Sequence, residues 1–167
     1  MKVIRKSVFE TNSSSTHSIC ISNIDVTVIP KVIDFTEGEF GWEWDRLTES
    51  YEKASYLYTA IRKFYSGKDL KGVLHRLEEI LKRYGAEEIS FNKEYEGYID
   101  HCDELEDFVK EMISDEKKLI NFLFSSKSFI QTGNDNIREF EEPMVKGIDK
   151  ELKALKKDGF YVYTKGN

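Results

Sequence analysis

Thr11-Asn12-Ser13-Ser14-Ser15-Thr16-His17-Ser18 is a polar run set between two stretches rich in Val, Ile and other strand formers, residues 2–9 and 19–29. Read outward from this run, the chain predicts two strands joined by an unusually polar loop. Hydroxyl and amide side chains of this density do not fill a core, because each would need a buried partner. Residues 32–35 add a short extended piece before Gly38 and Gly41 interrupt the pattern.

Further along, the period changes from two to between three and four. Ala54, Leu57, Tyr58, Ile61, Phe64 and Tyr65 form one amphipathic stripe. Leu70, Val73, Leu74, Leu77, Ile80, Leu81 and Tyr84 form a second, stopped by Gly85. Joined at Ser66-Gly67-Lys68, the two predict a helical hairpin. Residues 88–91 read as a short strand. Asp103 and Glu106 have capping-box-like spacing ahead of Leu105, Phe108, Val109 and Met112. Ser114 is the expected cap of a helix over 115–124, and 127–131 reads as a strand. Pro143 suits the first turn of a helix that carries Val145, Ile148, Leu152 and Leu155, and Phe160-Tyr161-Val162-Tyr163 closes the chain as a strand. The expected fold class is α+β, a single domain over 1–167. Its small β-sheet uses both chain termini and packs against several helices, the hairpin among them.

Hydrophobic residues make up 40% of the 167, enough for a core, and aromatic and β-branched residues recur along the whole length, so disorder is excluded. The net charge of −6 argues against the backbone of nucleic acid as the main partner, since that binding draws on Lys and Arg. Lys150, Lys153, Lys156 and Lys157 cluster on one helix, where the expectation is a solvated face. The start of the chain leads into no apolar h-region, and no apolar run approaches the roughly 20 residues a membrane span requires. The expectation is therefore a cytoplasmic protein with no membrane partner. Cys20 and Cys102 are then reduced thiols, and the Asn12-Ser13-Ser14 sequon carries no meaning.

Chemistry concentrates in three polar blocks. In Asn12-Ser13-Ser14-Ser15-Thr16-His17, hydroxyls and backbone N–H groups can hold an anion, and His17 can carry charge or move a proton near neutral pH. A solvated hairpin loop explains the same composition, and neither a Walker sequence nor G-x-G-x-x-G is present. Gly97-Tyr98-Ile99-Asp100-His101 offers a carboxylate beside an imidazole, although side chains adjacent in sequence rarely point the same way. Asp100 is expected to pair with a distant group. Thr132-Gly133-Asn134-Asp135-Asn136 reads as a tight turn, with the alternative that Asn134 and Asp135 project into a pocket.

Weaker constellations also occur. His17, Cys20, His101 and Cys102 are zinc-ligand types, but a three-residue step along a strand puts His17 and Cys20 on opposite faces, so no metal is expected. Arg5, the serines and Glu94-Tyr95-Glu96 carry residue types of ADP-ribosyltransferase motifs, yet Arg5 and the serines are too close in sequence to come from that fold's separate strands. Ser14 with His17 and an Asp has the composition of a nucleophilic triad, without a nucleophile-elbow pattern. Trp42 and Trp44 read as packing residues or an aromatic floor, and His75 as a partly exposed helix residue.

The segment Arg5-Lys6-Ser7-Val8-Phe9-Glu10-Thr11-Asn12-Ser13-Ser14-Ser15-Thr16-His17-Ser18 resembles the N-terminal signature of a group of small phage and prophage proteins of Gram-positive bacteria. Gly38–Glu43, Lys53–Tyr58, Gly97–His101 and Thr132–Asn136 are similar to further blocks in that group. The resemblance implies a mobile-element protein acting inside the infected cell, and supplies no activity. Three function classes follow. The first is a pocket of Asn12, Ser13, Ser14, Ser15, Thr16, His17, Asp100, His101, Asn134 and Asp135 for a small phosphate-bearing, nucleotide-like ligand; His17, Asp100 and His101 are the catalytic candidates if chemistry occurs. The second is an acidic inhibitor that binds a host defence or nucleic-acid-processing protein. The third is a homodimer in which the polar run only turns a hairpin. The sequence names no cofactor.

Overall fold

The protein was analysed as a computed structural model that describes residues 15–41, 43–93, 96–100, 105–134 and 136–165. The elements run β1 (Ser15–Ile21), β2 (Val32–Thr36), β3 (Glu39–Phe40), β4 (Arg46–Leu47), α1 (Ser50–Phe64), α2 (Gly67–Arg83) and β5 (Glu88–Asn92). Then come β6 (Tyr98–Ile99), α3 (Leu105–Ser114), α4 (Glu116–Phe124), β7 (Phe129–Asn134), a 3-10 turn at Glu139–Glu141, α5 (Glu142–Lys157) and β8 (Tyr161–Lys165). The α+β class holds. Strands from near both ends of the chain share a four-stranded sheet of order β4-β7-β1-β8, antiparallel throughout. Two small parallel pairs, β2-β5 and β3-β6, stand beside it. Among the described residues no helix is long and apolar enough to cross a membrane.

Alternation along β1 sets the layers. Ile19 and Ile21 enter the large core built with α1, α2, α3 and α4, while Cys20 points the other way, into a small core with Phe129 and Leu152 of α5. The helix α1 is buried well beyond the expected stripe: Lys53, Tyr56, Thr59 and Ala60 are covered as well as Ala54, Leu57, Tyr58 and Ile61. A helix buried this widely along its middle becomes the axis of the fold. Its N-terminus closes with a capping box, in which the Glu52 carboxylate accepts from the backbone N–H groups of Thr48 (2.9 Å) and Glu49 (3.0 Å).

Three expectations are corrected. The strand predicted over 19–29 instead covers Ser15–Ile21, so the second half of the polar run is central strand and not loop. Beyond Ile21 the backbone finds side-chain partners in place of a ladder: Ser22 N–H donates to Ser128 Oγ (2.9 Å) and Val26 N–H to Asn121 Oδ1 (2.9 Å). Of the tight turn predicted over Thr132-Gly133-Asn134-Asp135-Asn136, the first three residues instead continue β7. A Cβ at Gly133 would stand 2.3 Å from the Trp44 ring, so the close packing there requires glycine. Finally, α4 is capped by Asp115, whose carboxylate accepts from Lys118 N–H (3.0 Å), and not by Ser114. The expected strand 2–9 and the proposed cap Asp103 lie outside the described residues.

Candidate functional site

The end of β1 that carries the polar run is held from three sides. Across the ladder to β7, Ser15 is paired with Asn134, Thr16 with Gly133 and His17 with Thr132. Partners on such a rung sit about 4.5–5.5 Å apart at Cα. From α1, Tyr56 reaches up with its ring 5.2 Å from Phe40 and 5.9 Å from His17, centroid to centroid. From the far side comes the segment after β6, where Asp100 N–H donates to the Phe40 carbonyl (2.9 Å).

These elements close on one imidazole. The Asp100 carbonyl lies 3.0 Å from His17 Nε2 and 3.0 Å from Ser15 Oγ. A carbonyl oxygen only accepts, so Nε2 carries the proton directed at it and the Ser15 hydroxyl donates to the same oxygen. In the neutral imidazole, His17 Nδ1, 3.0 Å from the Tyr56 hydroxyl, is the acceptor of the phenolic proton. The contacts of both ring nitrogens thus assign the tautomer. Ser15 Oγ also lies 2.9 Å from Nε2, the distance of a nucleophile and its base. In this tautomer Nε2 has no lone pair to accept the serine proton, and Ser15 and His17 are each only 1% exposed. The arrangement braces the segment at β6 rather than activating a hydroxyl.

The segment it braces, Gly97–Asp100, contains β6. Tyr98 donates its hydroxyl to Asp100 Oδ1 (2.6 Å), and Glu37, ion-paired with Arg62 (3.0 Å), accepts from Gly97 N–H (3.4 Å). Gly41, at φ +153°, allows the close approach: a Cβ there would stand 2.5 Å from Asp100 Cβ. On the β7 side, the Thr132 hydroxyl donates to the Glu43 carbonyl (2.7 Å), and Asn134 Oδ1 accepts from Asn136 N–H (2.8 Å).

The three polar blocks therefore converge through Ser15, His17, Asp100, Thr132 and Asn134; Asp100 reaches the distant groups by its backbone carbonyl, while its carboxylate accepts from nearby Tyr98. Ser15, His17 and Asp100 are buried, Thr16 and Asn134 are half-buried, and Tyr98 is exposed. Asn12, Ser13, Ser14, His101 and Asp135 lie outside the described residues, as do Arg5, Trp42, Glu94, Tyr95 and Cys102. Among the described residues no group of His, Cys, Asp and Glu could hold a metal ion. Cys20 lies in the small core on the opposite face of the sheet from His17, with its thiol pushed up to about 11 by burial. Trp44 packs on Gly133, and His75 is exposed on α2 beside Glu79 (3.7 Å).

Sequence reasoning missed Tyr56, because it stands off the apolar stripe of α1, and Gly41, because the close approach it permits comes from distant Asp100. For the first, the available signals are a tyrosine within a helix whose stripe is already complete and its place in the Lys53–Tyr58 block. Comparison of the chain with protein-family models, with curated proteins and with solved structures finds no match.

Proposed function

We propose that the protein binds a small phosphate-bearing, nucleotide-like ligand at the end of β1, without needing chemistry at His17. The observation that carries this reading is the shared Asp100 carbonyl, which accepts from both Ser15 and His17 (3.0 Å each) and ties two of the polar blocks together, while the β1–β7 ladder adds the third. Polar groups fixed by one another before a ligand arrives lower the ordering cost of binding it. In this reading His17 is a positioning residue, and the half-buried Asn134 with the exposed Tyr98 stand nearest to a ligand, Thr16 facing the other side of β1. The likeness of residues 5–18 to phage and prophage proteins supports an accessory role in the cytosol of an infected cell.

The test is thermal unfolding of the full chain against nucleotides, cyclic nucleotides, ADP-ribose and inorganic phosphate. A ligand at about 100 times its Kd adds about 2.7 kcal/mol and raises the midpoint. His17→Ala is expected to abolish the shift, and His17→Gln, which keeps a donor for the Asp100 carbonyl, to retain part of it. No shift from any compound refutes the reading.

The alternative, an acidic inhibitor of a host protein, is favoured by a different surface. A groove of about 330 Å³ at the start of α1 is lined by exposed Val32 and Tyr51 together with Asp34 and Glu49. A pull-down from host lysate that is lost on Tyr51→Ala and kept in His17→Ala would select it.

A further inference from the structure

We propose that the outer face of α5 is a docking strip for the phosphate backbone of duplex nucleic acid, bound without reading its sequence. The helix buries Leu152 and half-buries Ile148 and Leu155 against Cys20 and Phe129, which leaves its opposite face to solvent. Along that face stand Lys146, Lys150, Lys153 and Lys157. Steps of four, three and four residues keep them in one row about 16 Å long. All four are exposed, and Lys156 flanks them.

Little of this charge is neutralised internally. Among the described residues Lys146 pairs with Glu142 (3.1 Å), whereas Lys150, Lys153, Lys156 and Lys157 take part in no ion pair. Glu151 is turned to the flank by a two-pronged contact with Arg46 (2.6 and 3.0 Å). Asp149 is the carboxylate left in the row. Ala154 lies low between the lysines, and the row lines a shallow groove of about 490 Å³. A phosphate chain can settle there.

The chemistry of the strip selects the partner. Protein interfaces centre on apolar and aromatic residues and are depleted of lysine, and residues 146–157 contain no aromatic side chain. A single strand would also want aromatic platforms for its bases. A duplex asks only for cations, and offers one phosphate charge per about 1.7 Å of axis. The net charge of −6 belongs to the whole chain. At ordinary salt, charges more than about 10 Å away are largely screened, so the local row governs contact.

The test is fluorescence anisotropy of a labelled 16-base-pair duplex titrated with the full chain at 50 to 200 mM KCl. Four contacts give a slope of log K against log salt of about −3.6, so affinity falls on the order of a hundredfold across that range. Replacing Lys150, Lys153 and Lys157 together by Gln (K150Q, K153Q, K157Q) is expected to flatten the slope to about −1 and remove most of the binding, with the unfolding midpoint unchanged. Absence of binding at 50 mM KCl overturns the proposal. So does equal binding by the triple variant, or tighter binding of a single strand or of a polyglutamate peptide than of the duplex.

Discussion

The two ends of β1 carry buried polar networks of similar size and different chemistry. At the Ser22 end, the Ser128 hydroxyl accepts from Ser22 N–H (2.9 Å) and donates to the Asn121 carbonyl (2.7 Å), while Asn121 Nδ2 donates to the Ser22 carbonyl (3.2 Å). Lys53 Nζ donates to the carbonyls of Ser125 (2.7 Å) and Ser128 (3.0 Å). Nearly every acceptor there belongs to the last turn of α4 or the residues just after it, where helix geometry leaves carbonyls without partners. That network finishes a helix. At the Ser15 end the His17 imidazole, backed by the Tyr56 phenol, and the Ser15 hydroxyl converge on one carbonyl, that of Asp100 just after β6. Burial and polarity are common to both ends, so neither property marks a site by itself. The distinguishing features are the residue types and the fact that three distant polar blocks arrive together.

Breaking each end separately should give different results. Asn121→Ala is expected to cost about 3 kcal/mol in urea unfolding, since it strips partners from the Val26 N–H and the Ser22 carbonyl. It should leave any nucleotide-induced midpoint shift intact. His17→Ala is expected to cost about 2 kcal/mol, because Ser15 still serves the Asp100 carbonyl, and to remove the shift altogether.

A smaller effect comes from pH. Burial pulls the Lys53 ammonium down to about 8 from an ordinary 10.5. Below pH 8 the folded protein holds the charge and its full desolvation cost. Between pH 8 and about 10.5 the unfolded chain still binds a proton that the folded chain has shed, so stability rises with pH and then levels. Relative to Lys53→Met, the wild type should gain roughly 2–3 kcal/mol across that window. The comparison cancels Cys20 at about 11 and Tyr161 at about 12, which titrate higher.

Where periodicity was the signal, the sequence could be read closely. The stripes of α1 and α2, Pro143 in the first turn of α5 and the terminal strand near Tyr161 all follow from local pattern. The reading failed where a tertiary contact overrode composition. Ser15 and His17 look like loop residues until Asp100, some 83 to 85 positions away, accepts from both. Gly133 looks like a turn residue until Trp44 packs on it. Each polar block could be picked out, but their meeting point depends on strand register and on the contact of Tyr56 with His17, which no local pattern shows.

The most direct test is an amide NMR titration of the full chain with ADP, with every shift mapped along β1. The account predicts perturbations at residues 15–18, 97–100 and 132–134, with Ser22, Asn121 and Ser128 unmoved. Perturbations centred on Ser22 and Asn121, or none at millimolar ADP, would contradict it.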